Sequence, residues 1–313
     1  MLSRTAENLF WTGRYVERAE NIARILEASR SISLQAADST MGRGKDEWQA
    51  VVTILGGLPK VEGADDVADP DAITRHFALE DHPGSILFCV RCARENARAL
   101  RSVISSEMWE SINGTWLGMR DLDGETFDQT RSHEFCEWVR ERANLFLGVS
   151  YSTPLHNDAF YFLRLGTFLE RAAGTARVLD VKYQVLAEAA DAEPASIYYA
   201  WGAVLKQVSA LRAYHQLFHD VIEPGRVAEL LTLRPELPRS LRYCTDEIAE
   251  DLDQLAGGRD LEALRLAGEL RSRLRFARMD RILKDGLHQF LSGVIGQIAD
   301  LSIQINKDFL MTV

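Results

Sequence analysis

Apolar side chains recur at spacings of three and four through almost every long segment of the chain. No run of β-branched and aromatic residues alternates with polar ones between turn signals. The pattern predicts an all-α protein, a large helical bundle with one continuous core. The first helix starts after Ser3 and runs to about Ser31, with Leu9, Val16, Ile22, Ile25 and Leu26 on its apolar side. A shorter helix follows from Asp46 to Leu58, stopped by Gly56, Gly57 and Pro59, and the polar stretch Lys60 to Ala68 reads as a loop. Asp69-Pro70 then places an N-cap before a proline in the first turn.

His82-Pro83-Gly84-Ser85 is a stop followed by an N-cap, and Ser85 to Asn113 keeps helical spacing, enough for a helix about 40 Å long. Gly114 to Thr130 reads as a loop, followed by a helix through Trp138 to Phe146. A long helix is predicted from Thr153-Pro154 towards Ala190. Further helices are predicted at Ser196 to Val221, Pro224 to Leu231, Arg239 to Leu255, Asp260 to Lys284 and Leu287 to Asp308.

One segment of the first helix returns later in the chain. Gly13 to Glu27 (GRYVERAENIARILE) aligns with Gly166 to Asp180 (GTFLERAAGTARVLD) at an offset of 153, with seven of fifteen positions identical. The offset is close to half the chain, so residues 1–313 read as one helical domain with pseudo-repeat halves 1–150 and 151–313, an internal duplication of a Glu-Arg helix. Within each copy the Glu and the second Arg are seven apart, on one face but about 10 Å from each other, too far to pair. If the copies pack antiparallel about a pseudo-twofold axis, Glu17 faces Arg177 and Glu170 faces Arg24, and Gly13, Gly166 and Gly174 let the backbones approach. Two readings stay open: a buried ion-pair network, or a pocket with Glu17 or Glu170 as general base and arginines as anion holders.

Composition adds one feature. The 313 residues carry 46 acidic and 36 basic side chains, net −10, and only six of the basic residues are lysines, which leaves 30 arginines. Arginine's planar fork favours fixed bidentate pairs with carboxylate or phosphate. The net charge argues against bulk nucleic-acid binding. Apolar runs fall short of a membrane span, charges fill the N-terminal stretch where a signal peptide needs an apolar core, and four cysteines suit a reducing compartment, so the expectation is a cytoplasmic protein without a membrane role.

Arg91, Arg94, Arg98 and Arg101 form a basic stripe that can hold a phosphate, a tRNA arm or an acidic peptide, unless acids such as Glu17 and Glu20 pack over it. Arg265 to Lys284 carries seven basic and two acidic residues next to the acidic run Asp246 to Asp253, and side-by-side pairing of the two is the plainer outcome. His215 and His219 have a metal-binding spacing but no third ligand, and no Glu-x-x-His occurs, so no metal is expected. Cys89 and Cys92 read as buried apolar residues. The chain lacks the glycine-rich phosphate-binding loops, so no nucleotide or other cofactor is expected.

The opening segment LSRTAENLFWTGRYVERAEN, residues 2–21, resembles the start of the bacterial alpha-E domain family, helical proteins with a Glu-Arg motif. The resemblance continues at Ala93 to Arg98, from Leu165 through Arg171 to Tyr183, and at Pro238-Arg239-Ser240, with Thr12 where the family carries Leu and Ala173-Gly174 in place of an acidic-bearing segment. It implies association with circularly permuted ATP-grasp ligases and transglutaminase-like peptidases as protein partners, and a part in making or processing a peptide or amide bond. The reading that follows is a non-nucleotide-binding helical component of such a system, with Arg14, Arg18, Arg24, Arg94, Arg98, Arg171 and Arg177 as anion- or substrate-binding residues. The alternative is an enzyme of aminoacyl or glutamyl transfer using Glu17 or Glu170.

Overall fold

The computed structural model describes residues 2–37, 43–57, 69–120, 122, 129–188 and 194–310. Among them every regular element is helical: α1 (Ser3–Ala37), α2 (Arg43–Leu55), α3 (Pro70–Leu79), α4 (Ile86–Ala99), α5 (Ser106–Arg120), α6 (Gln129–Ser152), α7 (Asp158–Glu188), α8 (Pro194–Gln207), α9 (Leu211–Phe218), α10 (Pro224–Leu233), α11 (Leu241–Ala256), α12 (Glu262–Phe276), α13 (Met279–Asp285) and α14 (Leu287–Ile305). A π-helical turn, Asn306–Leu310, closes the described chain. No helix among the described residues is long and apolar enough to cross a membrane. The predicted loop at 60–68 and most of the stretch 121–128 lie outside the described residues.

The two long helices that carry the repeat, α1 and α7, form the centre. Helices α4, α6, α2 and α8 pack on α1, and α11 and α14 pack on α7. One apolar cluster runs from Ala6 and Leu9 on α1 through Leu165, Leu169 and Ala176 on α7 to Leu291 and Leu310 near the end. A smaller cluster around Val16, Ala97, Ile112, Phe146 and Leu163 joins α1 and α7 to α4, α5 and α6.

Two glycines explain why the central helices come so close. A Cβ on Gly13 would lie 2.1 Å from the Leu163 carbonyl oxygen, and one on Gly166 would lie 2.0 Å from the Phe10 carbonyl oxygen. Residues 13 and 166, and residues 10 and 163, are equivalent positions of the repeat, so the two copies meet backbone to backbone about a local twofold axis. No other residue fits there.

Capping follows the sequence in several places. Asp69 caps α3 ahead of Pro70, Ser85 Oγ accepts from Phe88 N at 3.1 Å, and Ser240 Oγ accepts from Tyr243 N at 3.0 Å. Gly56 and Gly57, both at positive φ, follow α2.

Three predicted long helices are broken. The run from Ser85 to Asn113 ends at Ala99, and a second helix begins at Ser106, where Ser105 Oγ accepts from Met108 N at 3.2 Å. This second helix continues through Gly114 and Gly118, which sit against Arg142 and Trp138 of α6, so the glycines mark a helix contact rather than the predicted loop. The run from Ser196 to Val221 breaks at Ser209, in the left-handed region at φ 54°, and ends at His219, at φ 51°. The run from Asp260 to Lys284 breaks at the extended pair Ala277 and Arg278. Predicted to begin at Thr153-Pro154, α7 starts instead at Asp158.

Candidate functional site

The Glu-Arg repeat lies where α1 and α7 cross. Glu17 is fully buried, Glu20 and Glu170 nearly so. Arg171 grips Glu17 with both arms of its fork, Nε to Oε1 at 3.0 Å and Nη2 to Oε2 at 2.8 Å. The equivalent pair repeats the geometry: Arg18 Nε donates to Glu170 Oε1 at 2.7 Å and Nη2 to Oε2 at 3.0 Å. Each guanidinium also sits over an equivalent ring, Arg171 5.2 Å from the Phe168 centroid and Arg18 6.0 Å from that of Tyr15.

The reciprocal pairing predicted for this crossing is therefore present, with different partners. Glu17 meets Arg171, not Arg177, and Glu170 meets Arg18, not Arg24. At so close a crossing, helices related by a twofold axis bring equivalent levels opposite each other, and the arginine adjacent to each glutamate is at that level; the second arginine is nearly two turns away.

Further arginines complete the shell. Arg14 donates to Glu170 Oε2 at 2.9 Å and to Ser302 Oγ at 3.1 Å. Arg239, held in the turn before α11, reaches Glu17 Oε1 and Asn21 Oδ1, each at 2.9 Å, and also binds Glu20. Sequence reasoning did not nominate Arg239 or Glu20 for this site. The signal for Arg239 was its place after Pro238, in a segment of the family resemblance.

The second arginines behave differently because the repeat is imperfect. Arg24 has Glu20 one turn earlier and donates to it from Nε at 3.0 Å. In the second copy that position is Ala173, so Arg177 Nε finds only the Ala173 carbonyl at 3.2 Å, and its nearest carboxylate oxygen, on Glu170, is 3.9 Å away. Across from Asn21 stands Gly174, where a Cβ would come within 2.9 Å of the Asn21 amide nitrogen. The departures at 173 and 174 thus open space for Asn21 and leave Arg177 short of a counter-charge.

The protonation chemistry follows this division. Burial would push the Glu170 carboxyl up, but the hydrogen bonds and charge of Arg18, with Arg14 and Arg177, outweigh it and hold the group down at about 2. Glu20 is likewise held at about 2, burial being outweighed by Arg239 and Arg24. The guanidinium groups of Arg18 and Arg171 are raised above their ordinary value, because Glu170 and Glu17 overcome the cost of burial. Those of Arg24 and Arg177 are lowered, because for them burial wins. Six guanidinium groups share three carboxylates across the crossing, so the network carries surplus positive charge inside a chain of net −10.

Two helices joined through matching Glu-Arg pairs agree with what the chain is similar to. Residues 1–310 match the Alpha-E family, described as a predicted alpha-helical domain with a conserved ER motif. The chain belongs to the Alpha-E family. The chain is 25% identical to an uncharacterized protein of Mycobacterium bovis, over 96% of this chain and 36% of that protein. It is 24% identical to an uncharacterized protein of Mycobacterium tuberculosis, with the same coverage. This Alpha-E chain thus spans about a third of the length of the curated relatives it matches. No solved structure matches it.

Around the Alpha-E crossing lie two clefts, each holding one of the second arginines. The first, about 290 Å³, is lined by the polar Arg177, Arg18, Asn21 and Glu170 and by the apolar Ile22, Ile25, Ile54, Leu55 and Pro83. Arg177 is 43% exposed there, the most open of the network's arginines. The second, about 400 Å³, holds Arg24.

The other candidates are dispersed. The predicted stripe is split, with Arg91, Arg94 and Arg98 on α4 and Arg101 in the turn after it, and its acids are not Glu17 or Glu20: Arg91 pairs with Asp81, and Glu95 sits between Arg94 and Arg98 and binds both. Arg94 also donates to Asn113 Oδ1 at 3.1 Å, and both Arg94 and Arg101 lie over the Trp109 ring. On the basic run near the C-terminus, Arg271 crosses to Asp246 of α11 at 2.6 Å, while Arg265 pairs with Glu262 and Glu269 on its own helix. His219 is outside α9, in the left-handed cap, so it does not share a face with His215. No group of three or more metal-ligating side chains occurs among the described residues. Cys89 is buried and its thiol pushed up to about 12 by burial, while Cys92 is half-buried.

Proposed function

We propose that this Alpha-E domain is a non-nucleotide-binding, helical binding component of a peptide or amide-bond synthesis or modification system, working beside an ATP-grasp-type ligase or on its peptide substrate. The observation that carries the reading is Arg177: a half-open guanidinium 3.9 Å from Glu170, which it shares with Arg14 and Arg18, lining a cleft with apolar as well as polar residues. Such a cleft suits a carboxylate next to an apolar side chain, the chemistry of a peptide end. The relatives add support, because this domain corresponds to about a third of each and so sits in a longer polypeptide.

The geometry does not favour the rival reading in which Glu17 or Glu170 acts as general base. Glu170 is held at about 2 and bound by two arginines, and a carboxylate so stabilised is a poor proton acceptor near neutral pH. Glu17 has both oxygens occupied by Arg171 and Arg239 and is closed to solvent.

Affinity purification of the native protein from its own cells, followed by mass spectrometry, tests the proposal. The expected result is recovery of a ligase or a peptide by the native chain and its loss on Arg177→Ala, with the variant's helical circular dichroism intact. Recovery of neither ligase nor peptide, or equal recovery by the variant, would overturn it.

A further inference from the structure

The second cleft differs in chemistry from the first. Its walls come from α1 (Arg24, Glu27, Ala28, Ser31), α6 (Arg140), α8 (Lys206), the break between α8 and α9 (Ser209) and the start of α9 (Leu211, Arg212). Four cations therefore meet one carboxylate, and only Ala28 and Leu211 are apolar. Glu27 is already engaged by Arg140, and Glu20, the partner of Arg24, is shared with Arg239. Lys206 and Arg212 are exposed and have no carboxylate partner among the described residues. Arg140 Nε is buried and has no hydrogen-bond acceptor among the described residues.

The backbone adds to this. Ser209 takes up the left-handed conformation, φ 54°, at the break, and its hydroxyl accepts from Arg24 Nη1. That places the hydroxyl and the guanidinium together on the wall of the cleft. No side chain caps the N-terminus of α9, so its first residues bring the positive end of a helix to the same cavity.

We infer that this cleft is a binding site for a phosphate dianion, free or as the monoester end of a small polar molecule. Donors converge from four helices rather than from one plane, which suits a tetrahedral oxyanion with several acceptors better than a planar carboxylate. The surplus of cations over Glu27 calls for more than one negative charge. A cavity of about 400 Å³ exceeds a bare phosphate and leaves room for a small group attached to it. The site shares no lining residue with the Arg177 cleft, so this inference does not rest on the proposed function.

Isothermal titration of the full chain with inorganic phosphate, glycerol 3-phosphate and succinate tests it. The expected result is saturable one-to-one binding of phosphate or glycerol 3-phosphate, at least tenfold tighter than succinate. The ratio of the two phosphate affinities then tells whether the free ion or the ester is the better ligand. Lys206→Ala with Arg212→Ala, both exposed and outside the buried network, should weaken phosphate binding at least tenfold with unchanged circular dichroism, while Arg265→Ala on the far exposed face of α12 should not. Absence of saturable phosphate binding, equal affinity for succinate, or equal losses in the two sets of variants would overturn the inference. Loss of Arg177-dependent partner recovery would not bear on it.

Discussion

At the scale of single residues, the arginine excess resolves into roles set by local counter-charge. Arg18 and Arg171 are bidentate and closed; Arg24 and Arg177 are under-compensated and face clefts. Asp251 on α11 shows the opposite problem, a fully buried carboxyl with neither oxygen hydrogen-bonded and Arg164 Nε 3.4 Å away. Burial raises it to about 8, against the opposing charge of Arg164. The folded state therefore holds a proton that the unfolded chain releases near pH 4, so this residue's contribution to stability falls as pH rises from about 4 to 8. Asp251→Asn removes that loss. Urea unfolding should show the variant more stable than the native chain by a few kcal/mol at pH 8.5 and nearly equal to it at pH 4.

At the scale of elements, the crossing of α1 and α7 depends on glycine at 13 and 166. Gly13→Ala forces a methyl into the Leu163 carbonyl, and the helices must separate, pulling the Glu-Arg pairs apart. Thermal unfolding should show a loss of about 3 kcal/mol or more. Gly148→Ala, inside α6 with nothing within 4 Å of the new methyl, should instead stabilise by about 0.5–1 kcal/mol through helix propensity.

Much of this level was legible in the sequence. Helical periodicity, the caps at Asp69 and Ser85, and the repeat with the glycine its two copies share, Gly13 and Gly166, all name features the structure contains. What the chain alone did not show were breaks without proline or glycine. At Ser105 a serine N-cap competes with an apolar period that continues past it, and at Ser209 a non-glycine residue adopts positive φ that no local pattern announces. Gly114 and Gly118 misled in the other direction, since contact with α6, a long-range fact, fixes them inside a helix. The repeat predicted that Glu and Arg would pair across the axis. Which arginine each glutamate took depended on how closely the axes approach, and sequence spacing does not carry that distance.

At the scale of the whole molecule, a network with surplus positive charge sits at the centre of an acidic protein, and most of the helices pack around the pair that carries it. Glu20 and Glu170 have folded-state values near 2, below the ordinary carboxylate value of 4.5. Their stabilisation is complete above about pH 4.5 and lost as pH falls towards 2, where their protonation leaves Arg14, Arg18, Arg24 and Arg177 without their counter-charge. Circular dichroism followed from pH 5 to pH 2 should show cooperative loss of helix within that interval, with the midpoint moved to higher pH in Arg18→Gln.

The central claim is that the Glu-Arg repeat braces the crossing of α1 and α7. Urea unfolding at pH 7 of Glu17→Gln and Glu170→Gln, beside Glu95→Gln on the exposed stripe, tests it most directly. Each repeat variant should lose about 3–5 kcal/mol, because guanidinium groups are left buried without their carboxylate, and the Glu95 variant less than about 1 kcal/mol. Native stability in Glu17→Gln and Glu170→Gln would contradict the brace and return both carboxylates to consideration as reactive groups.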